Sequence, residues 1–194
     1  MEIIEDCKYM GFKYIIGLFF SILLIYSCKS GSYRTEYYPT GEKFESGKVI
    51  NGKREGKWLK WYENGSMLGE ITYHNGKKEG ISKQWFKNGK MQVLSKYKKG
   101  NFVDTLKFFF SDGHLNSIEY FTPEGVREGQ FTIWHENGNI SQVGYYLKGK
   151  KNGEWKTFFE TGKLKSVSHY KLGEKTGDWI TYDDDGIELK RETF

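Results

Sequence analysis

Trp58-Leu-Lys-Trp61-Tyr62-Glu-Asn-Gly65-Ser-Met67-Leu-Gly-Glu-Ile-Thr-Tyr73-His-Asn-Gly76-Lys-Lys-Glu-Gly80 is the stretch that decides the fold. Its pattern recurs along the chain. Gly65 has counterparts at Gly41, Gly89, Gly113, Gly138, Gly162 and Gly186, at steps of 24 residues with a single step of 25. A second glycine follows about eleven places later, at Gly52, Gly76, Gly100, Gly125, Gly149 and Gly173. A third closes the unit at Gly56, Gly80, Gly129, Gly153 and Gly177, with Asp104 as the exception. Counting from the marker glycine, position −7 holds Trp58, Leu106, Phe131, Trp155 and Trp179. Position −4 holds Trp61, Trp85, Phe109, Trp134, Phe158 and Tyr182, and position +8 holds Tyr73, Tyr97, Phe121, Tyr146, Tyr170 and Phe194. A fixed period in the 20–50 residue range is the signature of a repeat array.

Each unit contains two short runs rich in aromatic and β-branched residues, bounded by Asn-Gly or an equivalent, which is a strand and hairpin signal. Asn64-Gly65, Asn75-Gly76, Asn88-Gly89 and Asn137-Gly138 offer the positive-φ positions of tight turns. Glycine recurs too often for helices. A lone hairpin cannot bury its aromatic face and must stack on neighbours. The sequence therefore predicts an all-β, elongated, twisted array of stacked hairpins. About 13 strands spaced by ~4.8 Å give a ribbon on the order of 60 Å long.

The unit W-x-x-[WF]-[YF]-x-N-G, closed by N-G-K-K-x-G, resembles the bacterial variant of the MORN repeat. Some seven such units cover residues 37–194. Proteins built from this repeat are commonly labelled YwqK-family antitoxins. The resemblance implies a binding scaffold. It assigns no catalytic residue and no cofactor.

Residues 1–27 read as a lipoprotein-type signal peptide. Tyr14 to Tyr26 is an apolar run of thirteen residues, short of the ~20 that span a bilayer and suited to a secretory h-region. Lys13 precedes it, and Ile25-Tyr26-Ser27-Cys28 resembles a lipobox, which makes Cys28 the expected lipidation site. The acidic Glu2, Glu5 and Asp6 do not suit a basic leader, so translation is expected to start at Met10. Residues 28–36 are read as the lipidated cysteine and a short polar tether. With Lys29-Ser-Gly-Ser after Cys28 in place of an acidic cluster, the chain is placed in the bacterial envelope, on the periplasmic face of the outer membrane. Cys7 would leave with the leader, so the mature chain would hold no disulfide.

The ends of the array are charged: Lys43 and Glu45 in the first unit, and Asp183, Asp184, Asp185, Lys190, Arg191 and Glu192 in the last. Charged ends are expected to discourage edge-to-edge pairing. The fourth unit departs most from the pattern, with Asp104 for glycine and Thr122-Pro123-Glu124-Gly125 in a longer turn; a bend or contact site is expected there.

His74, His114, His135 and His169 fall at four different unit positions and form no column, so they read as turn or solvated residues and no metal is expected. Thr181-x-Asp183-x-Asp185-Gly186-x5-Glu192 partly mimics a calcium loop but lacks the first Asp and the flanking helices. Glu63, Glu136, Glu160 and Asp184 sit in turns rather than in a pocket, and no P-loop or G-x-S-x-G occurs. The chain is therefore not expected to be an enzyme. The net charge is +5, or +6 once residues 1–27 remove two Lys and three acids. The Lys83–Lys99 and Lys148–Lys151 clusters read as a solubilising face. An envelope address argues against nucleic acid.

The reading is a non-catalytic envelope lipoprotein that acts as a protein-binding scaffold. Its partner would be a toxin or an envelope protein, and the lipid would attach it to the membrane. Trp61, Trp85 and Trp134 share one register and are candidates for the contact stripe; that register would also suit the core of the stack. The alternatives are an antitoxin or immunity protein that neutralises a toxin by occlusion, and an accessory or enzyme of envelope glycan processing.

Overall fold

The computed structural model describes residues 31–194. The leader, Met10 and Cys28 lie outside the described residues. The described chain is one antiparallel sheet whose fourteen strands lie side by side in sequence order. The first units supply β1 (Ser32–Tyr37), β2 (Lys43–Ile50), β3 (Lys53–Trp61), β4 (Met67–His74), β5 (Lys77–Trp85) and β6 (Met91–Lys98). The middle holds β7 (Asn101–Phe109), β8 (Leu115–Phe121), β9 (Gly129–Trp134) and β10 (Ile140–Leu147). The sheet ends with β11 (Lys150–Phe158), β12 (Leu164–Lys171), β13 (Glu174–Tyr182) and β14 (Glu188–Thr193). No helix long and apolar enough to cross a membrane occurs among the described residues.

Two kinds of turn alternate. At Asn75-Gly76 both residues have positive φ, 50° and 79°, the two-residue arrangement whose twist matches that of paired strands. The Asn64-Gly65 turn differs from this expectation. Only Gly65 is left-handed there; Tyr62 N–H donates to Ser66 O and Gly65 N–H to Tyr62 O, both at 2.9 Å. That is a three-residue loop with a glycine bulge, and Asn64 Oδ1 accepts from Ser66 N–H at 3.1 Å.

The closing glycine of each unit marks a register jump within the ladder, as between Glu70 and Thr72 opposite Gly80. Asp104 breaks the glycine series in sequence but not in shape: its φ is 65°. The fourth unit is still the weak joint. β8 and β9 pair through Ser117–Ile133 and Ile118–Thr132, then through one isolated bridge, Phe121–Arg127.

One boundary moves. The sheet begins before residue 37, because Ser32–Tyr37, read as tether, forms β1 and pairs with β2 through Ser32–Val49 to Tyr37–Lys43. This gives fourteen strands where about 13 were expected. The polar composition of Ser-Tyr-Arg-Thr-Glu-Tyr hides an edge strand: none of its residues is buried, so it carries no apolar face to read. Glu45, read as part of a charged, degraded end, is 1% exposed. It accepts a hydrogen bond from Arg54 Nη2 and forms an ion pair with Lys60 Nζ at 3.1 Å.

The core is a column along one face. Trp58 and Trp155 are 1% and 2% exposed, and Ile71, Tyr97, Val103 and Leu106 are buried beside them along the sheet. Each indole lies on a glycine of the adjacent strand. A Cβ at Gly47 would overlap the Trp58 ring, and one at Gly144 would overlap the Trp155 ring. These glycines are not in the marker series and gave no turn signal.

Candidate interaction surface

Strand alternation separates position −7 from position −4. The −7 and +8 rings share the buried face and form an edge-on and tilted stack. Phe131–Tyr146, Tyr146–Trp155, Trp155–Tyr170, Tyr170–Trp179 and Trp179–Phe194 lie at 5.7, 5.0, 6.3, 5.1 and 5.2 Å between centroids. Trp58–Tyr73 at 6.2 Å opens the row, and Tyr97–Phe102–Phe121 at 4.6 and 5.6 Å forms its middle.

A cation lies over nearly every step. Arg54 sits 4.1 Å from the Trp58 centroid, Lys78 4.8 Å from Tyr97, and Arg127 4.7 Å from Tyr146. Lys151 lies 4.2 Å from Trp155, and Lys175 4.2 Å from Trp179 and 4.5 Å from Phe194. All five occupy position −11, and Phe102 replaces the cation in the fourth unit. Cations over ring faces contribute roughly 0.5–2 kcal/mol each, more as water is excluded. Lysines read as solubilising therefore include structural members. Lys151 belongs to this ladder, Lys96 pairs with Asp104 at 3.1 Å, and Lys90 Nζ donates to Asp112 O at 2.5 Å.

Both rims of the ribbon are laced between units. On one, Tyr38 and Tyr62 hydroxyls donate to Trp61 O and Trp85 O at 3.0 and 2.9 Å, and His135 Nε2–H donates to Phe158 O at 3.0 Å. Asn88 and Asn137 side chains donate to Ser111 O and Glu160 O at 2.8 and 2.7 Å. On the other, Gly76 N–H reaches Arg54 O at 2.9 Å, and Glu55 Oε2 accepts from Asn75 N–H at 2.8 Å. Glu79, Glu128 and Asn152 repeat that cap at Lys99, Lys148 and Leu172. The acid or amide three residues after the two-residue turn was the available sequence signal.

Trp61, Trp85 and Trp134 stand on the face opposite Trp58, half-buried, each opposite a +2 residue: Met67, Met91 and Ile140. They line one register together with Phe109 and Phe158, and the most deeply buried tryptophans are Trp58 and Trp155 instead. The marker glycines Gly41, Gly65, Gly89, Gly113, Gly138, Gly162 and Gly186 all have positive φ. The histidines do not converge, and among the described residues no group of three His, Cys, Asp or Glu side chains is placed to hold a metal. Asp183 of the calcium-like segment serves its own turn, accepting from Asp185 and Ile187 N–H at 3.0 and 2.8 Å.

Four segments, 54–75, 78–99, 127–148 and 151–172, match the family described as MORN repeat variant. Those four segments are similar to MORN repeat variants. Each matched segment opens on a ladder cation: Arg54, Lys78, Arg127 and Lys151. The fourth unit, where Phe102 takes that place, falls outside the matches. No curated protein matches the chain. A solved structure titled "Crystal Structure of TcdB2-TccC3-Cdc42" aligns with 84% of this chain and 12% of that chain, at 13% identity and a TM-score of 0.18. A superposition that loose supports nothing about this chain.

Proposed function

We propose that the chain is a non-catalytic repeat scaffold that binds a protein partner, tethered to the bacterial envelope through lipid on Cys28. One observation carries the binding reading. The ladder rings stack on one another under a row of cations and both rims are laced between units, whereas Trp61, Trp85, Phe109 and Trp134 line the opposite face, partly exposed. Partly exposed tryptophans are the side chains from which binding hot spots are made. Repeats of this type act generally as protein- or membrane-binding modules, which agrees with a scaffold role. The tether follows from the lipobox-like Ile25-Tyr26-Ser27-Cys28, and a periplasmic position from the residues after it.

The test is affinity capture from envelope extract of the native host, read by mass spectrometry with stoichiometry. Envelope proteins captured by the wild-type chain and lost with Trp85→Ala support the scaffold. A single one-to-one partner with toxin activity replaces it with the immunity reading. Capture indifferent to the tryptophan row refutes the site.

A further inference from the structure

The two ends of the sheet fit each other. Among the described residues, β1 and β14 each leave one edge unpaired. We infer that copies of this chain join head to tail, with β14 of one copy pairing to β1 of the next in the register of the internal units.

The register comes from the molecule itself. Every joint between units pairs position +4 with position −5: Gly69 with Gln84, Val93 with Phe108, Gln142 with Thr157, and Ser166 with Thr181. With an even number of strands, β14 and the incoming β1 run antiparallel, as at each internal joint. The same register sets Lys190 opposite Glu36 of the next copy. The first internal joint already fills these two positions with an ion pair of reversed sign, Glu45 with Lys60 at 3.1 Å. Glu192, at +6, comes to the flank of Arg34, at −7. Among the described residues of one copy, Lys190 pairs with Glu192 at 2.8 Å, with Lys175 acting on the same carboxylate, and Arg34 pairs with Glu36 at 2.6 Å. Stacking exchanges the partners without leaving a charge unpaired.

Apolar groups agree. At internal joints the +8 ring meets the −7 ring of the following unit, as Tyr170 meets Trp179 at 5.1 Å. At the end of the array Phe194 is the +8 ring, and Arg34 of the next copy would cover it as the cations cover the other rings. Leu189 and Tyr37, at +3 and −4, become neighbours on the opposite face. Alone, Tyr33, Tyr37, Leu189 and Phe194 are 79, 59, 67 and 50% exposed, which is uncommon apolar exposure for an edge built only to repel. The joint lacks one internal feature. Asp183 stands where Tyr38 and Tyr62 donate to the next unit, so the contact is weaker than an internal one and leans on its charges. A heterologous contact of this kind extends into an open array unless its rotation closes.

Sedimentation velocity of the full chain in density-matched detergent tests this. The expected result is a sedimentation coefficient that rises with concentration at low ionic strength and falls back at about 0.5 M salt, where exposed charges are screened. Lys190→Glu/Glu192→Lys and, separately, Arg34→Glu/Glu36→Lys each remain monomeric while keeping the wild-type β-sheet circular dichroism. Mixing the two variants restores association, because native tails meet native heads and exchanged tails meet exchanged heads. A single species independent of concentration at low salt overturns the inference. So does association of either variant alone to the wild-type extent, or failure of the mixture to associate.

Discussion

At the residue scale, burial in a single-layer sheet depends on what lies under a ring. Trp58 and Trp155 reach near-zero exposure without a second layer because Gly47 and Gly144 let the indoles lie flat on the neighbouring strand, while Arg54 and Lys151 cover them from above. Gly144→Ala should therefore destabilise the chain by about 1–3 kcal/mol through overpacking, measured by urea unfolding. An unchanged midpoint would show that the ring can shift at no cost. Glu45 makes a second residue-scale case. Its carboxylate is buried between Arg54 and Lys60, so Glu45→Ala removes their shared counter-charge and should cost roughly 1–3 kcal/mol. Equal stability of the variant would place those cations comfortably in solvent.

At the element scale, the units are held by hydrogen bonds that leap from one hairpin to the next. Tyr62→Phe deletes the hydroxyl bonded to Trp85 O and should cost about 1 kcal/mol, read as a lowered unfolding midpoint with the fold retained. β14 is held differently. Arg191 lies between Asp178 and Glu188, and Thr193 Oγ1 donates to Asp178 at 2.7 Å. Hydrogen bonds from Thr193 and Arg191 lower the Asp178 carboxyl below its ordinary value, and Arg191 does the same to Glu188. Groups depressed on folding stabilise the strand above their unfolded pKa values and lose that contribution as pH falls through the folded ones. Amide exchange in β14 should accelerate below the ordinary carboxylate range while β3 to β6 stay protected; uniform protection at acid pH would contradict this. The hairpins themselves were legible, since Asn-Gly and the 24-residue glycine period state the turns directly. The ladder cations were not. A lysine at −11 looks like any surface lysine until the sheet brings a ring of the neighbouring strand beneath it. β1 was not legible because none of its residues is buried and its sequence carries no apolar alternation.

At the scale of the whole molecule, each described strand is hydrogen-bonded only to its sequence neighbours, so stability spreads along one dimension and distant substitutions should add. The departure of Phe102, Asp104 and the Pro123 turn from the repeat coincides with the shortest ladder, β8 to β9, which makes this joint the expected site of first opening. The tryptophan registers were visible in sequence, but their division of labour was not, because period alone does not say which side of a lone sheet is covered. The central claim is that one face folds the ribbon and the other meets a partner. The direct measurement is thermal unfolding of Trp58→Ala beside Trp85→Ala. Trp58→Ala should lose about 3–5 kcal/mol, as buried aromatic truncations do, and Trp85→Ala clearly less while remaining folded. Equal losses, or a greater loss at Trp85, would contradict the account by putting the proposed contact row in the core.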